Sequence, residues 1–94
     1  MPYVLIQHTV GDFSRFKPVF DEDGRRRKIN GSKGGRLFRS VDQPHEFVAL
    51  FEWTDSEGAM KFRDSYEMHE AVQWADVKGE AKILVLEEVE QVDA

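Results

Sequence analysis

RLFRSVDQPHEFVALFEW, residues 36–53, consists of two apolar-rich runs flanking a turn signal, and the second run ends at a helix start. Asp42-Gln43-Pro44 supplies the turn, with local hydrogen bonding from Asp and a fixed φ from Pro. The spacing predicts strands over 36–41 and 45–53. In the second, Phe47, Val48, Ala49, Leu50 and Phe51 leave no polar face, the pattern of a central strand covered on both sides. The hairpin is preceded by a strand and a helix and followed by a helix and a strand, so the element order is β-α-β-β-α-β.

Upstream, Tyr3–Val10 is β-rich and almost wholly apolar, with Val4, Ile6, His8 and Val10 on one side. Asp12 is an N-cap candidate, and Phe13, Phe16 and Phe20 recur at helical spacing. A first helix is expected to run to about Asn30, with Gly31 as its stop and Pro18 causing an irregular first turn or a kink. Gly31-Ser32-Lys33-Gly34-Gly35 reads as a flexible connection. It has the spacing of neither phosphate-binding glycine motif, and it follows a helix instead of preceding one.

Downstream, Thr54, Asp55 and Ser56 offer a helix cap, and Ala59, Phe62 and Tyr66 form an inward stripe. Ser65 looks like a second cap, and Met68, Ala71, Val72 and Ala75 begin a new apolar row. Two helical segments with a bend near Asp64 are therefore expected. Val77–Ala81 then leads to a last strand over 82–92.

Ninety-four residues, 40% hydrophobic and 33% charged, fit one domain spanning 1–94. A chain this short buries only about two-thirds of its unfolded surface, so a sheet with helices on one face gains stability when a second copy covers the other. No run approaches the roughly 20 apolar residues of a membrane span, and the start lacks the pattern of a signal peptide, so cytoplasmic location and no membrane partner are expected. The absence of cysteine excludes disulfides, thiolate metal sites and cysteine nucleophiles.

The net charge of −5 conceals a run, 25–39, that holds seven Lys or Arg and no Asp or Glu. Glu87, Glu88, Glu90 and Asp93 make the other end acidic, which argues against a domain-wide nucleic-acid surface. An RNA-recognition motif shares the element order, but residues 45–53 lack its basic-Gly-aromatic signature, so no nucleic-acid partner is expected.

Several residues carry possible chemistry. His8 interrupts an apolar row, where a neutral imidazole can act as a general base toward a phenolic substrate; the alternative is a core histidine bonded to a backbone carbonyl. Steps of about 100° per residue place Arg27 on the Phe13–Phe16–Phe20 stripe. There it would need an anion such as a phenolate or carboxylate, unless it reaches past the helix end to solvent. Arg25, Arg26 and Lys28 read as a solvated face. Trp53, Phe16, Phe20 and Phe62, with Tyr66 adding a hydroxyl, could wall a flat aromatic pocket or simply form core. His45 and His69 are expected to be exposed, and no histidine spacing supports a metal site.

The segments HTVGDFSRFKPVFD, GSKGGRLFRSVDQPHEFVALFEW and SEGAMKFRDSYEMHEAV resemble the antibiotic biosynthesis monooxygenase-like group of the dimeric α+β barrel superfamily, nearly end to end. The matched positions are chiefly fold-bearing. The resemblance implies a ferredoxin-like α+β fold: an antiparallel four-stranded sheet with two helices on one face, paired in a homodimer that closes a barrel. It also implies a pocket between sheet and helices within each subunit. Members include cofactor-independent oxygenases of phenolic or quinol-like compounds, haem degraders and isomerases, and fold alone does not choose among them. The haem-degrading pattern, aligned at Trp53, puts Phe62 and Val72 where a tryptophan and a histidine are needed, leaving Gln7 as the amide and His69 displaced by three.

Taken with the residues, the resemblance leaves as first expectation a cofactor-independent monooxygenase-like protein for a small aromatic or quinol-like compound, in which the residue reading makes His8 the base, Arg27 the anion clamp and the aromatics the walls. The alternatives are a non-catalytic binding or stress-associated dimer, and an isomerase or cyclase of similar substrates.

Overall fold

The structure, a computed structural model, describes residues 1–73 and 77–94, with the side chains of 67–73 and of residue 80 outside that description. β1 (Pro2–Val10), α1 (Phe13–Glu22), α2 (Gly24–Ile29), β2 (Ser32–Arg39), β3 (Glu46–Trp53), α3 (Ser56–Gln73) and β4 (Val77–Glu87) follow one another along the chain. The strands form one antiparallel sheet in the order β2-β3-β1-β4. This is the ferredoxin-like α+β architecture, with its first helix in two pieces.

Period-two burial fixes which face the helices cover. Val4, Ile6, His8 and Val10 on β1 and Phe47, Ala49, Phe51 and Trp53 on β3 are buried, and they meet Phe16 and Phe20 of α1 and Ala59, Phe62 and Tyr66 of α3. The opposite face carries an apolar band, and among the described residues nothing covers it. Leu5, Val48 and Leu50 there are half-buried, so the expected two-sided cover of β1 and β3 is met on the helix side only.

Four boundaries depart from the sequence reading. The helical stretch is broken at Asp23, and Pro18 lies inside α1 without ending it. Residues 32–35 belong to β2, where the pairing with β3 shifts register between Ser32 and Gly35. α3 is continuous from Ser56 to Gln73. Ser65 does not cap a second segment, because its Oγ donates to the Phe62 carbonyl and accepts from Arg26, so the hydroxyl is satisfied within the helix. β4 starts at Val77 and ends at Glu87, whose partner Pro2 is the first residue of β1; beyond it no strand remains to pair with. The expected apolar row at Met68, Ala71, Val72 and Ala75, the exposure of His69 and the link through 75–76 lie outside the described residues.

The terminators conform to the reading. Asp12 caps α1, its Oδ1 accepting from Ser14 N at 2.9 Å. Asp55 accepts from Gly58 N at 2.6 Å at the start of α3. In the hairpin, Ser40 Oγ donates to Asp42 and accepts from Gln43 N.

Candidate functional site

The site candidates occupy the layer between sheet and helices. β1 brings His8 inward, and the alternation that buries Ile6 and Val10 also buries His8, leaving it 1% exposed. One tier above, α3 presents Tyr66, whose Oη lies 2.6 Å from His8 Nε2. Which of the two donates depends on the imidazole tautomer. Phe16 packs edge-on against the imidazole, with ring centroids 5.3 Å apart. Burial, and secondarily the charge of Arg27, lower the His8 pKa to about 3, so the ring is neutral at physiological pH. At Nε2 the imidazole meets a side-chain hydroxyl.

Arg27 does not reach solvent past the helix end. It is 7% exposed, and its Nη1 donates to the Phe20 carbonyl at 2.9 Å. The guanidinium carbon stands 4.2 Å from the Phe20 ring centroid and 4.8 Å from that of Phe51. Desolvation lowers its pKa, while Asp23, with Oδ2 at 3.7 Å from Nη1, favours the charged form. Arginine remains cationic in such a place.

Asp23 is a residue the sequence reading missed. It is 4% exposed and serves two guanidinium groups, since Arg26 Nε donates to its Oδ1 at 2.9 Å. Arg26 was missed as well: far from belonging to a solvated face, it reaches α3 through Ser65 at 2.8 Å and lies 4.8 Å from the Phe62 centroid. The signal was local, an aspartate three and four residues ahead of two arginines on a helix.

The aromatic candidates are brought together and pack on one another. Trp53 and Phe62 lie 4.7 Å apart, Phe62 and Tyr66 5.4 Å, and Phe16 and Phe20 5.4 Å. Trp53 is anchored by Nε1 donating to the Asn30 carbonyl at 2.8 Å. Gly31 must adjoin it with φ 114°, because a Cβ there would stand 2.6 Å from Thr54 Oγ1 and 3.0 Å from Trp53 Nε1. His45 lies apart from this layer, exposed, with Nδ1 donating to the Val10 carbonyl at 2.8 Å. Among the described residues no three His, Asp or Glu side chains converge as metal ligands. An open cleft of about 380 Å³ lies beside Arg27, between α2 and the start of β2.

No family model matches the chain, and no curated protein matches it by sequence. Solved structures match it closely in shape. A Bordetella bronchiseptica protein described as a candidate antibiotic biosynthesis monooxygenase superposes with TM-score 0.77 at 15% identity, covering 95% of this chain and 97% of its own. SnoaB, a cofactor-independent oxygenase from Streptomyces nogalater, gives 0.75 at 18% identity over 99% and 97% of the two chains. The chain has the fold of the antibiotic biosynthesis monooxygenase-like proteins. Rv0793 from Mycobacterium tuberculosis shares it too, with TM-score 0.68, 16% identity and coverage of 99% and 100%. At these identities the likeness speaks for architecture, and chemistry has to be argued from the residues.

Proposed function

We propose that this protein is a cofactor-independent monooxygenase-like dimer that takes a small aromatic or quinol-like compound against the layer between sheet and helices. The observation that carries the reading is the buried His8–Tyr66 pair, 2.6 Å long, on the same side of the sheet as a buried, cationic Arg27. With the imidazole proton on Nδ1, Tyr66 donates to Nε2, and a phenolic proton can pass to His8 through the Tyr66 oxygen. An imidazole held near 3 accepts that proton only when a negative charge forms beside it. Proton transfer is then coupled to formation of the substrate anion, which Arg27 stabilises electrostatically. Oxygen would react with that anion, the protein contributing deprotonation, orientation and exclusion of water.

Oxygen uptake with naphthohydroquinone- and anthrone-type compounds tests the proposal. Uptake above the buffer background, reduced at least ~100-fold in Tyr66→Phe and His8→Gln with unchanged circular dichroism, is the expected result. A second reading, binding without turnover, is favoured by the mutual packing of Trp53, Phe62, Tyr66 and Phe16, which are at most 2% exposed. A protein that binds these compounds but shows no uptake above background would establish it.

A further inference from the structure

We propose that the cleft between α2 and the start of β2 is a binding site for small aromatic carboxylates, with Arg27 receiving the carboxylate. The proposal deepens the reading of Arg27 as an anion clamp and does not depend on turnover.

The cleft exists because β2 opens with glycines. Gly35 pairs with Phe51 on β3 and Gly34 adopts φ +99°, so these two positions of β2 place no side chain over the Phe51 ring. A Cβ placed at Gly34 would meet no atom within 4 Å. Across the gap, Gly24 opens α2 without a side chain, and a Cβ there would stand 3.3 Å from Arg27 Nη2. Both walls are therefore backbone at the points where a ligand would approach the guanidinium. The volume of about 380 Å³ is in the range of small-ligand pockets.

The charge of the cleft selects an anion. Among the described residues, Arg27, Lys28 and Lys33 line it and no carboxylate does, while Ser32 adds a hydroxyl. The buried carboxylate of Asp23 is shared between Arg26 and Arg27 and so offsets one of two positive charges. Among the described residues, Nη1 is the Arg27 nitrogen that donates a hydrogen bond, to the Phe20 carbonyl. Nη2 is turned toward Gly24 at the cleft wall, and a planar guanidinium edge suits a carboxylate's two oxygens. The body of the ligand is selected by Phe51, whose ring stacks with the guanidinium at 4.8 Å and supplies the apolar part of the lining. A flat ring lying on the Gly34 backbone would bring its carboxylate to Arg27, with Lys28 and Lys33 flanking it.

Titration of the full chain with 1-naphthoate, followed by amide shifts in 15N–1H spectra, tests this, with 1-naphthalenemethanol as the uncharged control. The expected result is a shift of the Gly24, Lys28, Ser32, Lys33 and Gly34 amides by naphthoate and none by the alcohol. Because Lys28 and Lys33 are exposed, Lys28→Glu with Lys33→Glu should fold normally and weaken binding at least ~10-fold. Equal binding of alcohol and acid, shifts confined to the outer face of the sheet, or unchanged affinity in the double variant would overturn the proposal. Naphthoate at the cleft without oxygen uptake would remove turnover and keep this site. Oxygen uptake with no response at the cleft would do the reverse.

Discussion

His8 is the residue whose sequence context said most and whose chemistry said least. Its position in an alternating strand made burial legible, since Val4, Ile6 and Val10 share its side. Its partner was not legible, because Tyr66 lies 58 residues away and only the docking of α3 brings the hydroxyl to Nε2. The pKa of about 3 ties this residue to stability. A histidine at about 6.5 when unfolded and about 3 when folded is protonated in the unfolded chain alone between those values, so its contribution is complete above about 6.5 and is lost as pH falls toward 3. The unfolding free energy from urea titration should drop over that interval, by up to about 1.4 kcal/mol per pH unit from this group. A His8→Gln variant should show a flatter profile, and parallel profiles would mean that other groups set the acid limit. Asp23 makes a second residue-scale case. Asp23→Ala leaves Arg27 buried without its carboxylate and Arg26 without its Oδ1 contact, and should cost about 3 kcal/mol in urea unfolding, whereas Lys17→Ala, which removes an exposed pair with Asp21, should cost well under 1 kcal/mol.

Among the elements, those defined by periodicity were the readable ones. β1, β3 and the inward stripe of α3 follow from alternation and from helical spacing, and the caps at Asp12 and Asp55 follow from residue type. The glycine-rich start of β2 was read as a loop because glycine normally weakens a strand. Here the absence of a Cβ is what permits the pairing: at Gly35 a Cβ would collide with the Leu50 carbonyl of β3, at the register shift. Gly35→Ala should therefore push β2 off β3 and destabilise the protein by about 3 kcal/mol, with early hydrogen exchange at Leu37 and Phe38. Gly34→Ala has open space but an unfavourable φ, and should cost about 1 kcal/mol. Equal losses in the two variants would show that conformation, and not the close approach of β3, governs this edge. The break at Asp23 escaped the sequence reading for a related reason. Helix periodicity continues across it: Asp23 keeps helical φ and ψ, its N–H closes α1 on the Val19 carbonyl, and its own carbonyl accepts from Arg27 N in α2.

At the scale of the whole molecule, one face of the sheet carries the core, and the other carries an apolar band that no described residue covers. Phe38, Leu84 and Leu86 on or near that face are 47%, 39% and 37% exposed, and Leu5, Val48 and Leu50 are half-buried among them. Cross-strand pairing gathers these side chains, since Leu5 stands opposite both Leu50 and Leu84, and Phe38 opposite Val48. Contiguous exposed apolar surface of this kind is uncommon on a monomer and calls for a covering partner. A second copy of the chain supplies matching chemistry by symmetry, with residue i meeting j and j meeting i. Each leucine buried in such an interface contributes about 1.5–3 kcal/mol. Leu84→Glu with Leu86→Glu, which leaves the helix-side core untouched, should weaken self-association by at least ~100-fold in sedimentation equilibrium while the far-ultraviolet circular dichroism stays that of the parent. If the parent sediments as a monomer at micromolar concentration, the face must be covered by something other than itself. If the double variant remains as dimeric as the parent, the two copies meet elsewhere on the molecule.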